Sequence, residues 1–220
     1  MGNSENKSDS EKQINSEKPI VDEKPSELAI TPQVKPEPPQ IIYEYISFPG
    51  KIHLINSDQD LLSVAESLAS VKEFGFDTET RPSFKKGEFY NVALLQLSTE
   101  TDAYIFRLHY ISQYQIIKTI LQNPEVVKVG VAIRDDLKHL QNTFQFTPNN
   151  FVELQTLAKL KQLKNFGLKG MAEEVLHATI SKGPKTTNWE AKKLTDVQLK
   201  YAATDAWIGL MLYHKLKSVE

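Results

Sequence analysis

The sequence has no cysteine, which excludes a disulfide framework, a thiolate zinc site and a cysteine nucleophile. It has no hydrophobic run of the roughly 20 residues that a membrane-spanning helix needs, and its N-terminus lacks the apolar core of a signal peptide. Met1-Gly2 is followed by Asn6, where a myristoylation motif requires Ser or Thr. The expectation is a cytoplasmic protein that does not engage the membrane. Residues 1–40 contain no aromatic side chain and hold six of the 11 prolines. Such a segment buries too little apolar surface to offset its ordering entropy, so it reads as a disordered Pro/Lys/Glu-rich tail, with one folded domain over 41–220. Neither sign of charge dominates that domain. Eight of the 28 acids and five of the 26 bases precede residue 41, leaving 20 and 21. A general nucleic-acid coat protein would be strongly basic, but acids committed to a metal would leave the remaining surface locally basic.

What is present centres on Phe74-Gly75-Phe76-Asp77-Thr78-Glu79-Thr80. In a strand, side chains alternate, so Asp77 and Glu79 share a face with Gly75, while Phe74, Phe76 and Thr78 take the other. Two ionised carboxylates side by side repel unless a cation, a proton or a basic group compensates them.

Around this strand the pattern predicts a short strand at 52–55 and a helix at 58–70, opened by the capping box Ser57-x-x-Asp60. Strands at 92–97 and 103–108 are joined by a turn at Thr99-Glu100-Thr101-Asp102. The chain therefore opens as a sheet meander. Helices are expected at 111–121, 135–144, about 153–163 and 168–177, with a strand at 126–131. Strands alternating with helices in this second half imply α/β layering on a mixed sheet. Thr195-x-x-Gln198 is a second capping box, and the helix it opens should run almost to Glu220.

That last helix carries Tyr201 and Asp205, four residues apart and therefore on one face. Ala202, Ala203, Ala206 and Gly209 beside them are small enough for close approach to a sheet. Another acid enters where the strand at 126–131 passes into a helix. Asp136 lies above Leu140 and beside Leu137 on the side that must turn inward, whereas Asp135 shares its face with Lys138, His139 and Asn142. Asp136 is thus assigned to the site and Asp135 to helix capping. Four carboxylates and a tyrosine make an oxygen-rich set suited to Mg2+ or Mn2+. The five histidines, His53, His109, His139, His177 and His214, show no ligand spacing and read as ordinary residues.

Three segments together resemble the exonuclease motifs of the DEDDy 3′-5′ exonucleases, the ribonuclease D and Werner-type branch. They are Phe-x-Asp-Thr-Glu-Thr around Asp77, Val129-Gly130-Val131-Ala132-Ile133-Arg134-Asp135-Asp136-Leu137, and Asn188-Trp189 through Tyr201-Ala202-Ala203-x-Asp205-Ala206. Lys200 stands where the DEDDh branch has His. The resemblance spans about 52–217. It implies an α/β, ribonuclease H-like fold, a mixed five-to-six-stranded sheet with helices on both sides. It further implies Asp77, Glu79, Asp136 and Asp205 as ligands of two divalent cations, Mg2+ or Mn2+, some directly and some through water. Asp77 would bridge the ions, and Tyr201 would orient or help deprotonate the attacking water. The implied substrate is nucleic acid, DNA or RNA, with a free 3′ end. Substrate-binding candidates are Thr78 and Thr80 beside the acids, with Arg81, Lys85, Lys86, Lys182 and Lys185 in flanking loops as phosphate contacts. Phe84 and Trp189 are candidates for stacking, Trp189 reading better as a buried residue. The sequence is expected to lack the helical nucleic-acid-binding domains that follow the catalytic domain in ribonuclease D. The competing reading is a non-catalytic nucleic-acid-binding or scaffold protein of the same fold, against which the presence of all five motif residues argues.

Overall fold

The computed structural model describes residues 41–181, 183 and 187–218. The tail expected at 1–40 lies outside them. A two-residue strand β1 (Glu44–Tyr45) precedes β2 (Lys51–Ile55), α1 (Asp58–Ala69) and β3 (Glu73–Thr80). The β-hairpin strands β4 (Val92–Ser98) and β5 (Asp102–Arg107) follow. Then come α2 (Gln115–Gln122), β6 (Val127–Gly130), α3 (Ile133–Thr143), β7 (Phe151–Glu153) and α4 (Leu154–Leu160). The chain closes with α5 (Leu168–Met171), which runs into a π-helical turn, β8 (Ala178–Thr179) and the long α6 (Asp196–Ser218).

Six strands form one sheet in the order β2-β5-β4-β3-β6-β7, antiparallel within β3-β4-β5 and parallel elsewhere. This is the mixed sheet of a ribonuclease H-like fold. β1 and β8 make a separate parallel pair that the pattern does not predict. The expected opening meander is limited to β3-β4-β5. The crossover through α1 sets β2 parallel beside β5 at the sheet edge instead of next to β3.

The pleat of β3 sorts its side chains as alternation requires. Phe74 and Phe76 enter a core with Leu61, Leu68, Ile117, Leu121, Ile133 and Leu140, the inward faces of α1, α2 and α3. The opposite face is covered by α6. There a Cβ on Gly75 would lie 1.8 Å from the Ala206 carbonyl oxygen, so the helix backbone rests directly on the strand. The small residues of α6 permit this approach: Ala202, Ala203 and Ala206 are fully buried.

The second capping box forms in full, while in the first the Asp60 carboxylate accepts from the Asn56 amide rather than from Ser57. Ser57 Oγ accepts from the Asp60 amide at 3.1 Å, while Thr195 Oγ1 accepts from the Gln198 amide at 3.2 Å and Gln198 Oε1 accepts from the Thr195 amide at 2.9 Å. The helix expected from 111 begins only at Gln115. The Asp58 carboxylate accepts the amides of Ser112 and Gln113, holding that stretch extended across α1. None of the helices among the described residues is long and apolar enough to cross a membrane.

Candidate active site

β6 pairs with β3 only as far as Gly75, opposite Val129, so the C-terminal half of β3 projects beyond its parallel neighbour. The carboxylates stand on this projecting half, held on the other side by the ladder to β4. α6 crosses above them and brings Tyr201 and Asp205 onto the same face. One carboxylate oxygen each from Asp77, Glu79 and Asp205 lies within 4.8 Å of the others. These residues and Tyr201 line a cavity of about 300 Å3, bounded also by Gly130, Val131 and Leu168. Two further cavities also reach Tyr201 and Asp205, one against Ser181 and Lys200, the other against Leu168 and Lys169.

Burial raises the Asp77 carboxyl well above the usual carboxylate range, and the charges of Asp205, Glu79 and Asp136 push the same way. All three neighbouring charges are negative. Hard oxygen donors from several elements, with their repulsion not yet relieved, fit a hard divalent cation. Tyr201 is raised above the ordinary phenol range by burial, then by the charge of Asp205 and by its hydrogen bond to that carboxylate. The phenol therefore keeps its proton across the neutral range and donates it to Asp205.

Asp136 stands apart from the three clustered acids. It comes from α3, on the other side of the sheet, and its Oδ1 accepts the Thr78 hydroxyl at 2.7 Å. Burial raises this carboxyl too, partly offset by that hydrogen bond. Thr78 faces away from Asp77, as alternation requires, and its hydroxyl proton is engaged by Asp136. Asp135 does not cap α3. It is exposed and pairs with Lys138 at 3.1 Å, because the free amides at the helix start are taken elsewhere. Glu153, at the end of β7, accepts the Ala132 and Ile133 amides, each at 2.9 Å, and the Gln155 amide at 3.0 Å. One carboxylate thus fixes the start of α3, and with it Asp136, while Ala132 is held at φ 60°.

Gln96 was not evident from the sequence either. It lies opposite Asp77 in the β3-β4 ladder, is 1% exposed, and neither side-chain amide atom has a hydrogen-bond partner. A buried polar residue in the run Val92-Ala93-Leu94-Leu95-Gln96-Leu97 is the signal that would have singled it out.

The flanking candidates are placed unevenly. Arg81 lies over the Tyr90 ring, 4.6 Å from its centre, and 3.6 Å from Glu190. Thr80 lines a neighbouring cavity with it, and Lys85 and Lys86 are exposed. Lys182 and Lys185 lie outside the described residues. Trp189 is fully buried and stacks on Tyr201 at 6.1 Å between ring centres, so it packs beneath α6 and is not available to a substrate base. His214 ties α6 to Glu73 at 2.7 Å and Glu100 at 3.3 Å, and His53 pairs with Asp102, both away from the acids.

The chain is 34% identical over 182 residues to the mouse bifunctional 3′-5′ exonuclease/ATP-dependent helicase WRN, covering 78% of this chain and 13% of that protein. It is 28% identical over 172 residues to ribonuclease D of Haemophilus influenzae, covering 77% of this chain and 42% of the relative. It thus spans less than half the length of either. Among solved structures, Escherichia coli RNase D superposes with a TM-score of 0.68 at 28% identity, over 74% of this chain and 44% of that one. The model of the 3′-5′ exonuclease family matches residues 52–219, which run from β2 to the end of α6 and contain all five motif residues; the chain belongs to the 3′-5′ exonuclease family.

Proposed function

We propose that the chain is a divalent-metal-dependent 3′-5′ exonuclease that hydrolyses the terminal phosphodiester bond of a nucleic acid and releases nucleoside 5′-monophosphates. The observation that carries this reading is the convergence of Asp77, Glu79 and Asp205 within 4.8 Å, with the Tyr201 phenol bonded to the last of them. Asp77, Glu79 and Asp205 would hold two cations, Mg2+ or Mn2+, with Asp136 as the fourth acid of the set. Bound there, the cations would lower the pKa of the attacking water, clamp the scissile phosphate and stabilise the leaving 3′ oxygen.

The protein's own residues do the positioning. Tyr201 donates its hydrogen bond to Asp205, which leaves its oxygen to accept from the attacking water and to orient it or help deprotonate it. Thr78 holds Asp136, and Glu153 holds the helix that carries Asp136. Gln96 sets an amide beside Asp77. Thr80, Arg81, Lys85 and Lys86 serve the substrate backbone on the β4 side of the acids. The relatives named ribonuclease D and the exonuclease/helicase support a nucleic-acid substrate with a free 3′ end.

The test is digestion of 3′-labelled single-stranded DNA and RNA in Mg2+ or Mn2+. Wild type is expected to release mononucleotides, and Asp77→Ala to lose at least about 10³-fold in rate, as removal of a central charge-stabilising group does. Undiminished hydrolysis by a folded Asp77→Ala protein would exclude the assignment, and tight binding without hydrolysis by wild type would favour the scaffold reading.

A further inference from the structure

Phe48, in the segment between β1 and β2, is fully buried, and it belongs to neither a strand nor a helix. Its main-chain polar groups therefore need partners that no backbone ladder supplies. Two side chains of α6 provide them. The Phe48 amide donates to Thr204 Oγ1 at 3.0 Å, and Lys200 Nζ donates to the Phe48 carbonyl at 2.7 Å. The Thr204 hydroxyl in turn donates to the Lys200 carbonyl at 2.6 Å, which fixes the side chain with its acceptor side toward Phe48. The Phe48 ring meets the Trp207 ring edge-on, with 6.0 Å between centres. Lys200, Thr204 and Trp207 stand at i, i+4 and i+7, so this one residue grips one face of α6 over two turns. The segment is anchored at its other end as well, where the Ile46 amide donates to the Thr179 carbonyl at 2.9 Å and extends the β1-β8 pair.

The position of this grip around the helix gives it a consequence for the site. Successive helical residues are turned by about 100°. Ala206 and Gly209 face the sheet, Lys200, Thr204 and Trp207 face the strap, and Tyr201 and Asp205 project between these two faces. A helix held on one face can roll about its axis, whereas one held on two faces flanking the functional side chains cannot. Side chains reach about 5–6 Å from the axis, so a roll of roughly 10° carries their tips by about 1 Å. A misplacement of that size can lower a rate by about 10²-fold. Ile46 and Ser47 of the strap also wall a cavity of about 320 Å3 together with Tyr201 and Asp205, so strap and site border the same space. The strap precedes residue 52, where the match to the exonuclease family model begins.

We propose that the Phe48 main chain, the Thr204 hydroxyl and the Lys200 ammonium form a clamp that sets the roll of α6 and thereby places Asp205 for metal and Tyr201 for the attacking water. Thr204 and Lys200 are positioning residues: they act through their neighbours on the helix and touch neither metal nor substrate. The effect on rate rests on the exonuclease reading above, and the effect on metal rests on the carboxylate cluster alone.

The experiment compares the full wild-type chain with Thr204→Val, which removes the hydroxyl at similar size, and Thr204→Ser, which keeps it. Calorimetric titration with Mn2+ alone gives the metal Kd without nucleic acid, and digestion of a single-stranded oligonucleotide at saturating Mn2+ gives kcat and KM. Thr204→Val is expected to weaken Mn2+ binding and lower kcat, each by about 10–100-fold, with KM unchanged. Thr204→Ser is expected to restore both. A hydroxyl that served only stability would leave fewer folded molecules, seen as fewer titratable Mn2+ sites at an unaltered Kd, and that result would overturn the clamp. So would a Thr204→Ser protein as impaired as Thr204→Val. Lys200→Met separates position from charge. Loss of a cation lining the same cavity as Asp205 would by itself tighten Mn2+, so weaker binding in this variant supports the clamp and tighter binding removes Lys200 from it. Wild type that binds Mn2+ and hydrolyses nothing would overturn the exonuclease reading, while the Mn2+ comparison would still decide the clamp.

Discussion

The Tyr201 hydroxyl is committed to the Asp205 carboxylate. Burial and the adjacent carboxylate raise the Tyr201 phenol, which disfavours its ionisation between neutral and mildly alkaline pH. Tyr201→Phe is expected to lower kcat about 10²-fold through misplacement of the attacking water, with KM little affected and the alkaline limb of the pH–rate profile unmoved. An alkaline limb that disappears in Tyr201→Phe would assign the base to the phenol. Residue types made part of this site legible. Asp77 and Glu79 share a face because alternation allows nothing else, and Tyr201 with Asp205 follows from helical spacing. Asp136 was reached by asking which face of its helix turns inward. Glu153 was not legible, because its partners Ala132 and Ile133 lie 20 or more residues away and no local pattern links them.

At the level of elements, the site depends on how closely α6 lies on β3. Gly75 is the contact point: a methyl group there meets the Ala206 carbonyl, which is backbone and cannot swing aside. Gly75→Ala is expected to destabilise the fold by about 1–3 kcal/mol, the cost of overpacking, and to lift Asp205 away from Asp77. Urea unfolding measures the first effect and the metal concentration for half-maximal rate the second, which should rise. Stability lost with metal dependence unchanged would show that the helix re-seats without disturbing the acids. Capping chemistry predicted the ends of α1 and α6 because each box is local. α2 began late because the Asp58 carboxylate, contributed by another element, captured the amides expected to start it. β7 was missed since three residues carry too little periodicity to register.

For the whole molecule, the clustered acids link folding to pH. Burial holds the Asp77 and Asp136 carboxyls above the ordinary value of an aspartate in the unfolded chain. Their contribution is therefore fully present below that value and is lost as pH rises through the raised values. In EDTA, Asp77→Asn is expected to gain in melting temperature relative to wild type as pH is raised from about 4 toward neutrality, with each kcal/mol of relief worth roughly 2–4 °C in a chain of this size. Saturating Mg2+ or Mn2+ should stabilise wild type by an amount that grows with the ratio of free metal to its Kd, and the variant by less. Equal responses of the two proteins to pH and metal would contradict the electrostatic account. The sequence by itself determined the composition of this site: hard oxygen donors, no thiolate, and a tyrosine in register with an acid. It also determined which strand and helix carry them, because alternation and helical spacing are properties of a few neighbouring residues. Only the tertiary structure decided that β3 outruns β6, that Asp136 is held by Thr78 apart from the other three acids, and that Phe48 is held against α6 by Thr204 and Lys200. Those outcomes depend on the register between strands and on helices meeting across the sheet, which are set by packing between residues far apart in the chain.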